Sequence, residues 1–227
     1  MVRKLQSPHF SFQLLLCSLL LLLFIPGLFY GTIAVVTSRI LFTVILLVCL
    51  YLTASNRRDL IIGCLLAIPA LTSNWLISLF VELSAQSLIY SISLIIFISF
   101  IVSVIFRYLI AARRVDSEMI YAAVCLYMLI GLCWTMIYFA IITVDPGAIK
   151  LHVATEVATE NASTALLHEL IYFSFVTQTT LGYGDLTPVT GIARSFVIAQ
   201  SLIGQIYVAV IIARLVGLQI AGVSEHH

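Results

Sequence analysis

The chain has 227 residues, of which 62% are hydrophobic and 9% charged, with a formal net charge of +1. An ordinary soluble domain carries about 25% charged residues, so the composition excludes one or two soluble domains and points to an integral membrane protein. A charge so close to zero supplies no field to gather nucleic acid, and no such partner is expected.

The basic start, Met1-Val2-Arg3-Lys4, leads into a hydrophobic run over about Phe10 to Tyr30. The run is longer than the apolar core of a secretory signal peptide, and no small-x-small cleavage site follows it. It reads as a retained first span, bent or ended by Pro26-Gly27, with cleavage as the alternative. A second span covers Ile33 to Leu52, and Ala54 to Asp59 is a tight polar break. The third, Leu60 to Leu83, contains Pro69, which a bundle tolerates as a kink. After Ser84-Ala85-Gln86 a fourth span continues to about Ile110, and Arg113 to Glu118 breaks the chain again. The fifth span is Met119 to Val144.

A polar segment, Asp145 to Thr164, then gives way to an apolar run of 15 residues, Ala165 to Thr179, with Ser163 or Thr164 as the expected N-cap. Crossing a hydrocarbon core takes about 20 residues, so this half-length helix is expected to enter and return on one side. A sixth span follows from Ile192 to Gly217. Ten residues later the sequence ends at His227, with no cytoplasmic ligand-binding domain expected there. The five cysteines, Cys17, Cys49, Cys64, Cys125 and Cys133, lie inside hydrophobic runs without paired spacing. They read as small buried apolar residues rather than a disulfide framework or metal site.

Orientation follows from counting basic residues at the span ends. With the N-terminus in the cytoplasm, eight lie inside (Arg3, Lys4, Arg57, Arg58, Arg107, Arg113, Arg114, Arg214) and three outside (Arg39, Lys150, Arg194). That assignment places the re-entrant loop on the outer face and both termini in the cytoplasm.

Between the half-length helix and the sixth span stands Thr179-Thr180-Leu181-Gly182-Tyr183-Gly184-Asp185. Its two glycines can take backbone angles closed to other residues, which lets successive carbonyls face one way. Four copies around an axis would stack rings of oxygen able to replace the hydration shell of a potassium ion. Thr-Leu-Gly-Tyr-Gly resembles the selectivity filter of the potassium channel family, with Leu181 where Val is commonest. The resemblance implies ion sites at Thr180, Leu181, Gly182 and Tyr183, with Gly184 at the outer mouth. The Leu181 and Tyr183 side chains would pack behind the filter. Thr179, Asp185, Tyr172 and Val176 would support it, with Tyr172 placed to hydrogen-bond Asp185. The resemblance also implies that Tyr183 favours potassium over sodium. Val176 stands where some members carry a glutamate, so acid-dependent filter inactivation is not expected.

The sixth span follows the family's pore-lining helix. Gly204 lies where a hinge glycine is common, and close packing on the pore helix explains it equally well. Gln205, Val208, Ile212 and Val216 fall on one stripe at helical spacing. Gln205 would wet a cavity, and Ile212 and Val216 would form a hydrophobic constriction closing by dewetting. Gln200 is expected to hydrogen-bond behind the pore helix, and Arg214 to snorkel to the inner surface.

The four N-terminal spans match voltage-gated channels in number alone. A sensor needs three or four mobile charges per subunit, whereas the fourth span carries only Arg107, and spans two and three lack buried acids to pair with such charges. Strong voltage gating is not expected. His152 and His168 read as solvated loop histidines, and Asn161-Ala162-Ser163 is a formal glycosylation sequon on the outer side.

The expected protein is thus an all-α membrane protein of six transmembrane helices, with a re-entrant pore helix and filter between helices five and six. Residues 1–115 form a four-helix membrane module and 116–227 the pore domain. Four identical chains, in contact with lipid in the plasma or inner membrane, would conduct potassium passively, without cofactor or catalysis. The alternatives are a cation channel of low selectivity, a secondary transporter, for which internal repeats are lacking, and a regulatory subunit of the pore family.

Overall fold

Apolar stretches separated by short polar breaks leave the backbone one way to satisfy its polar groups without water, the helix. The computed structural model describes residues 11–25, 28, 32–54, 56–76, 84–112, 115–151 and 162–224. In chain order they form α1 (Ser11–Phe24), α2 (Thr32–Thr53), α3 (Arg57–Leu76), α4 (Ser84–Ala111), α5 (Ser117–Val144), β1 (Ile149–Lys150), α6 (Ala162–Gln178), β2 (Thr187–Pro188) and α7 (Gly191–Ser224). Among the described residues, α2, α4, α5 and α7 are long and apolar enough to cross a membrane. α1, with 14 residues, is about 21 Å long at 1.5 Å per residue, short of the roughly 30 Å hydrocarbon core. α3 opens on Arg57, Arg58 and Asp59 and is not among the four.

Several boundaries differ from expectation. The first helix stops at Phe24, because Pro26 lacks an N–H and disfavours helical angles in the residue before it; Pro26 and Gly27 lie outside the described residues. The third expected span is helical only to Leu76 within the described residues. Ser84-Ala85-Gln86, expected as an interruption, is the first turn of α4. α6 begins at Ala162, so Ser163 and Thr164 lie inside it instead of capping it; Asn161 and His152 lie outside the described residues. Asp116, expected only as part of a break, is the N-cap of α5, its Oδ1 accepting from Met119 N at 2.8 Å.

α5 is the element on which the others are built. α1, α4, α6 and α7 all pack against it, and Met119, Ala122, Cys125, Leu126, Leu129, Leu132, Met136 and Tyr138 along it are buried. One hydrophobic core runs from Phe12 on α1 to Ala193 on α7. Phe12 stacks on Tyr108 of α4 with ring centroids 5.5 Å apart, and its carbonyl accepts from Cys125 Sγ at 3.4 Å. α2 and α3 are joined by Asn74 Nδ2, which donates to Arg39 O and Thr43 Oγ1 at 3.3 Å. Arg107 on α4 pairs with Asp59 on α3 at 3.5 Å. Sequence reading had assigned Arg107 no acid. The pair sits at one end of both helices with Arg107 largely exposed, where an ion pair contributes little. Of the cysteines, Cys49 and Cys125 are buried and Cys133 partly so, whereas Cys17 and Cys64 lie on exposed helix faces, contrary to expectation.

A two-residue antiparallel ladder was not anticipated. Ile149 pairs with Pro188 and Lys150 with Thr187, extended by Val189 N donating to Ala148 O at 2.8 Å. It ties the exit of α5 to the entry of α7 and frames the segment between them.

The candidate pore loop

α6 holds the loop, and α5 and α7 hold α6. Gly131 on α5 makes the approach possible. A Cβ there would lie 2.8 Å from Cζ of Phe175, and its carbonyl accepts from Ser174 Oγ at 2.7 Å. One turn further along α6, buried Gln178 donates Nε2 to Tyr127 O at 2.8 Å, and Tyr127 Oη donates back to Gln178 O at 3.2 Å. From the other side, fully buried Gln200 on α7 donates Nε2 to Ser174 O at 2.9 Å and Ser174 Oγ at 2.8 Å, and accepts from Tyr138 Oη at 2.6 Å. Gln200 thus bonds behind α6 as its sequence position suggested. Ser174, Gln178 and Gln200, with Tyr127 and Tyr138, thus bond one another and the neighbouring backbone, the condition for burying them at all.

α6 ends at Gln178. Its last carbonyls are taken up by the loop itself: Thr180 N donates to Thr177 O at 3.0 Å, and Leu181 N and Gly182 N donate to Val176 O at 3.0 and 3.3 Å. Thr180, Gly182 and Gly184 have φ of +59°, +54° and +81°, while Leu181 and Tyr183 between them stay out of the positive region. Glycine takes such angles freely; for a β-branched threonine they are strained. At the far end, Tyr172 Oη donates to Asp185 Oδ2 at 2.7 Å, the bond anticipated from sequence, and Asp185 Oδ1 accepts from Leu186 N at 3.0 Å.

α7 passes beside the base of this loop. A Cβ on Gly204 would stand 2.5 Å from Gln178 O and 3.0 Å from Gln178 Cγ. Of the two sequence readings of Gly204, close packing has direct geometric support, since α7 is helical without a break from Gly191 to Ser224. The next residue, Gln205, donates Nε2 to Thr180 Oγ1 at 3.2 Å. Val208, Ile212 and Val216 are exposed on the single chain, while Ile211 turns into the core. Leu181 and Tyr183 are likewise 55% and 68% exposed.

Arg214, expected to snorkel to the inner surface, has Nη2 donating to Ile110 O and, at 3.0 Å, to Ala112 O, so it caps the C-terminal end of α4. One sequence reading is corrected here: His168 is not a solvated loop residue. It lies on α6 with Nε2 3.2 Å from Ser38 Oγ of α2. Sequence reading also missed Tyr127, Gly131, Tyr138, Ser174 and Gln178. The available signal was polar residues in helices otherwise apolar, which are costly in a membrane unless bonded.

Residues 148–218, from the ladder through the loop into α7, match the family model described as "Ion channel". Protein LctB of Bacillus caldotenax is 33% identical over 106 residues, covering 47% of this chain and 76% of the relative. Protein LctB of Geobacillus stearothermophilus is 35% identical over 108 residues, with the same two shares. No solved structure matches. With its several long apolar helices the chain is a multi-pass membrane protein. It belongs to the family of Protein LctB and carries an ion channel domain over residues 148–218.

Proposed function

We propose that four copies of this chain surround a common axis and conduct potassium selectively and passively. The observation that carries the reading is the backbone of Thr180-Leu181-Gly182-Tyr183-Gly184, with positive φ at every second residue. Alternation between left- and right-handed angles turns successive carbonyls to one side of a strand, the arrangement that replaces an ion's hydration shell. Thr180 to Tyr183 then provide the ion sites and Gly184 the outer mouth. α6 aims its C-terminal partial negative charge at the base of this column, favouring a cation there.

One strand cannot enclose an ion, so the ring requires further copies. The uncovered residues fit this need: Leu181, Tyr183, Val208, Ile212 and Val216 are apolar or aromatic and exposed on the single chain. The first two would pack against neighbouring chains and the last three would line the path below the filter. In this reading the four long apolar helices α2, α4, α5 and α7 cross the bilayer, the shorter α1 and the less apolar α3 make up six spans, α6 enters and returns from the outer side, and both termini are cytoplasmic. Voltage plays little part, because α4 carries one arginine, Arg107, near its end. Purified protein reconstituted in vesicles tests the reading: potassium flux blocked by barium and absent with sodium supports it. Stable tetramers without flux would instead indicate a regulatory subunit.

A further inference from the structure

We propose that Gln205 is a positioning residue for the innermost potassium site, acting through the hydroxyl of Thr180; the inference rests on the channel reading above. Thr180 has φ +59°, a conformation a β-branched residue holds only where its surroundings impose it. Two bonds do so. Its N–H donates to Thr177 O at 3.0 Å, and its Oγ1 accepts from Gln205 Nε2 at 3.2 Å. The donor arrives from a fixed backbone, because the adjacent Gly204 abuts Gln178 O so closely that a Cβ would stand 2.5 Å away. Ser201, one turn earlier, donates Oγ to Thr177 O at 3.5 Å. Gln205 is therefore delivered to Thr180 by a helix face already seated on the end of α6.

A threonine hydroxyl has one proton and two lone pairs, and unbonded it rotates freely. With one lone pair accepting from Gln205, the rotor is fixed and the other lone pair stays available to an ion. Four such hydroxyls form the lowest oxygen ring of the column. The free amide oxygens of the four Gln205 side chains add a second ring of acceptors just below, where an ion exchanges protein oxygen for water. Gln205 thereby sets the affinity of the entry site from inside, and with it the potassium concentration at which current half-saturates.

The test compares wild type, Q205M, T180V and the double variant as reconstituted tetramers, recording current against symmetric potassium concentration. Methionine keeps the length and volume and removes the donor. Loss of one hydrogen bond changes affinity by about 2- to 10-fold, so Q205M is expected to raise the half-saturating concentration by about that factor. In the T180V background, where no hydroxyl remains, the same change is expected to have no effect. Where T180V chains carry no current, the comparison is made by the potassium concentration that half-stabilises the tetramer against heat. A wild-type-like curve for Q205M, or an equal shift with and without the Thr180 hydroxyl, overturns the inference while leaving the channel reading intact. Absence of potassium current from the wild type overturns both.

Discussion

Replacing Gly204 by alanine separates two accounts of that glycine by the sign of the effect. If Gly204 serves only as a weak point in α7, alanine strengthens the helix by about 1 kcal/mol. The structure opposes that gain. The added methyl would stand 2.5 Å from Gln178 O, 3.0 Å from Gln178 Cγ and 3.3 Å from Gln178 C. The nearest atom belongs to a backbone carbonyl already accepting from Tyr127 Oη, so it cannot swing aside as a flexible side chain would. α7 must retreat by several tenths of an ångström, at the overpacking cost of about 1–3 kcal/mol, and the displacement also draws Gln205 from Thr180. Less the helix gain of about 1 kcal/mol, and with the Gln205 bond at about 0.5–1.5 kcal/mol added, the balance is a loss of roughly 0.5–3.5 kcal/mol, which for a chain of this size lowers the melting temperature by about 1–14 °C. Thermal unfolding of the purified tetramer in detergent measures it. A melting temperature for G204A equal to or above wild type would refute the packing account.

Two further contacts are open to substitution, one at the C-terminal end of α4 and one at the Asp185 end of the loop. R214A removes the donors to Ile110 O and Ala112 O and is expected to destabilise by about 1 kcal/mol; R214K recovers only part, because lysine lacks the guanidinium fork. Equal melting temperatures for R214A and wild type would contradict the capping role. Y172F removes the donor and D185A the acceptor of the 2.7 Å bond between Tyr172 and Asp185. In a double-mutant cycle on thermal stability the pair is expected to show a coupling of about 0.5–1.5 kcal/mol, whereas additive effects would mean the bond contributes nothing.

The helices were legible because length and apolarity decide them: α2 and α5 begin and end within two residues of the spans expected. The loop was legible because two glycines two residues apart after a half-length apolar run leave few alternatives. What the sequence did not disclose depends on contacts between distant residues. The ladder of Ile149–Lys150 with Thr187–Pro188 is two residues long and joins segments nearly forty apart, with no alternating pattern to announce it. Arg214 reads as a surface cation until α4 is seen to end beside it. The ring of Phe175 gives Gly131 its reason, and no local feature of α5 shows that the ring arrives there. α1 and α4, assigned from sequence to the four-helix module of residues 1–115, pack on α5 of the expected pore domain within one core.

The central claim is potassium selectivity at Thr180 to Gly184. It is tested most directly by the reversal potential of the reconstituted wild-type protein under bi-ionic conditions, potassium on one side and sodium on the other. The account predicts a large displacement from zero, in the direction that marks potassium as the permeant ion. A reversal potential near zero, with robust current in both directions, would contradict it and leave a cation channel of low selectivity.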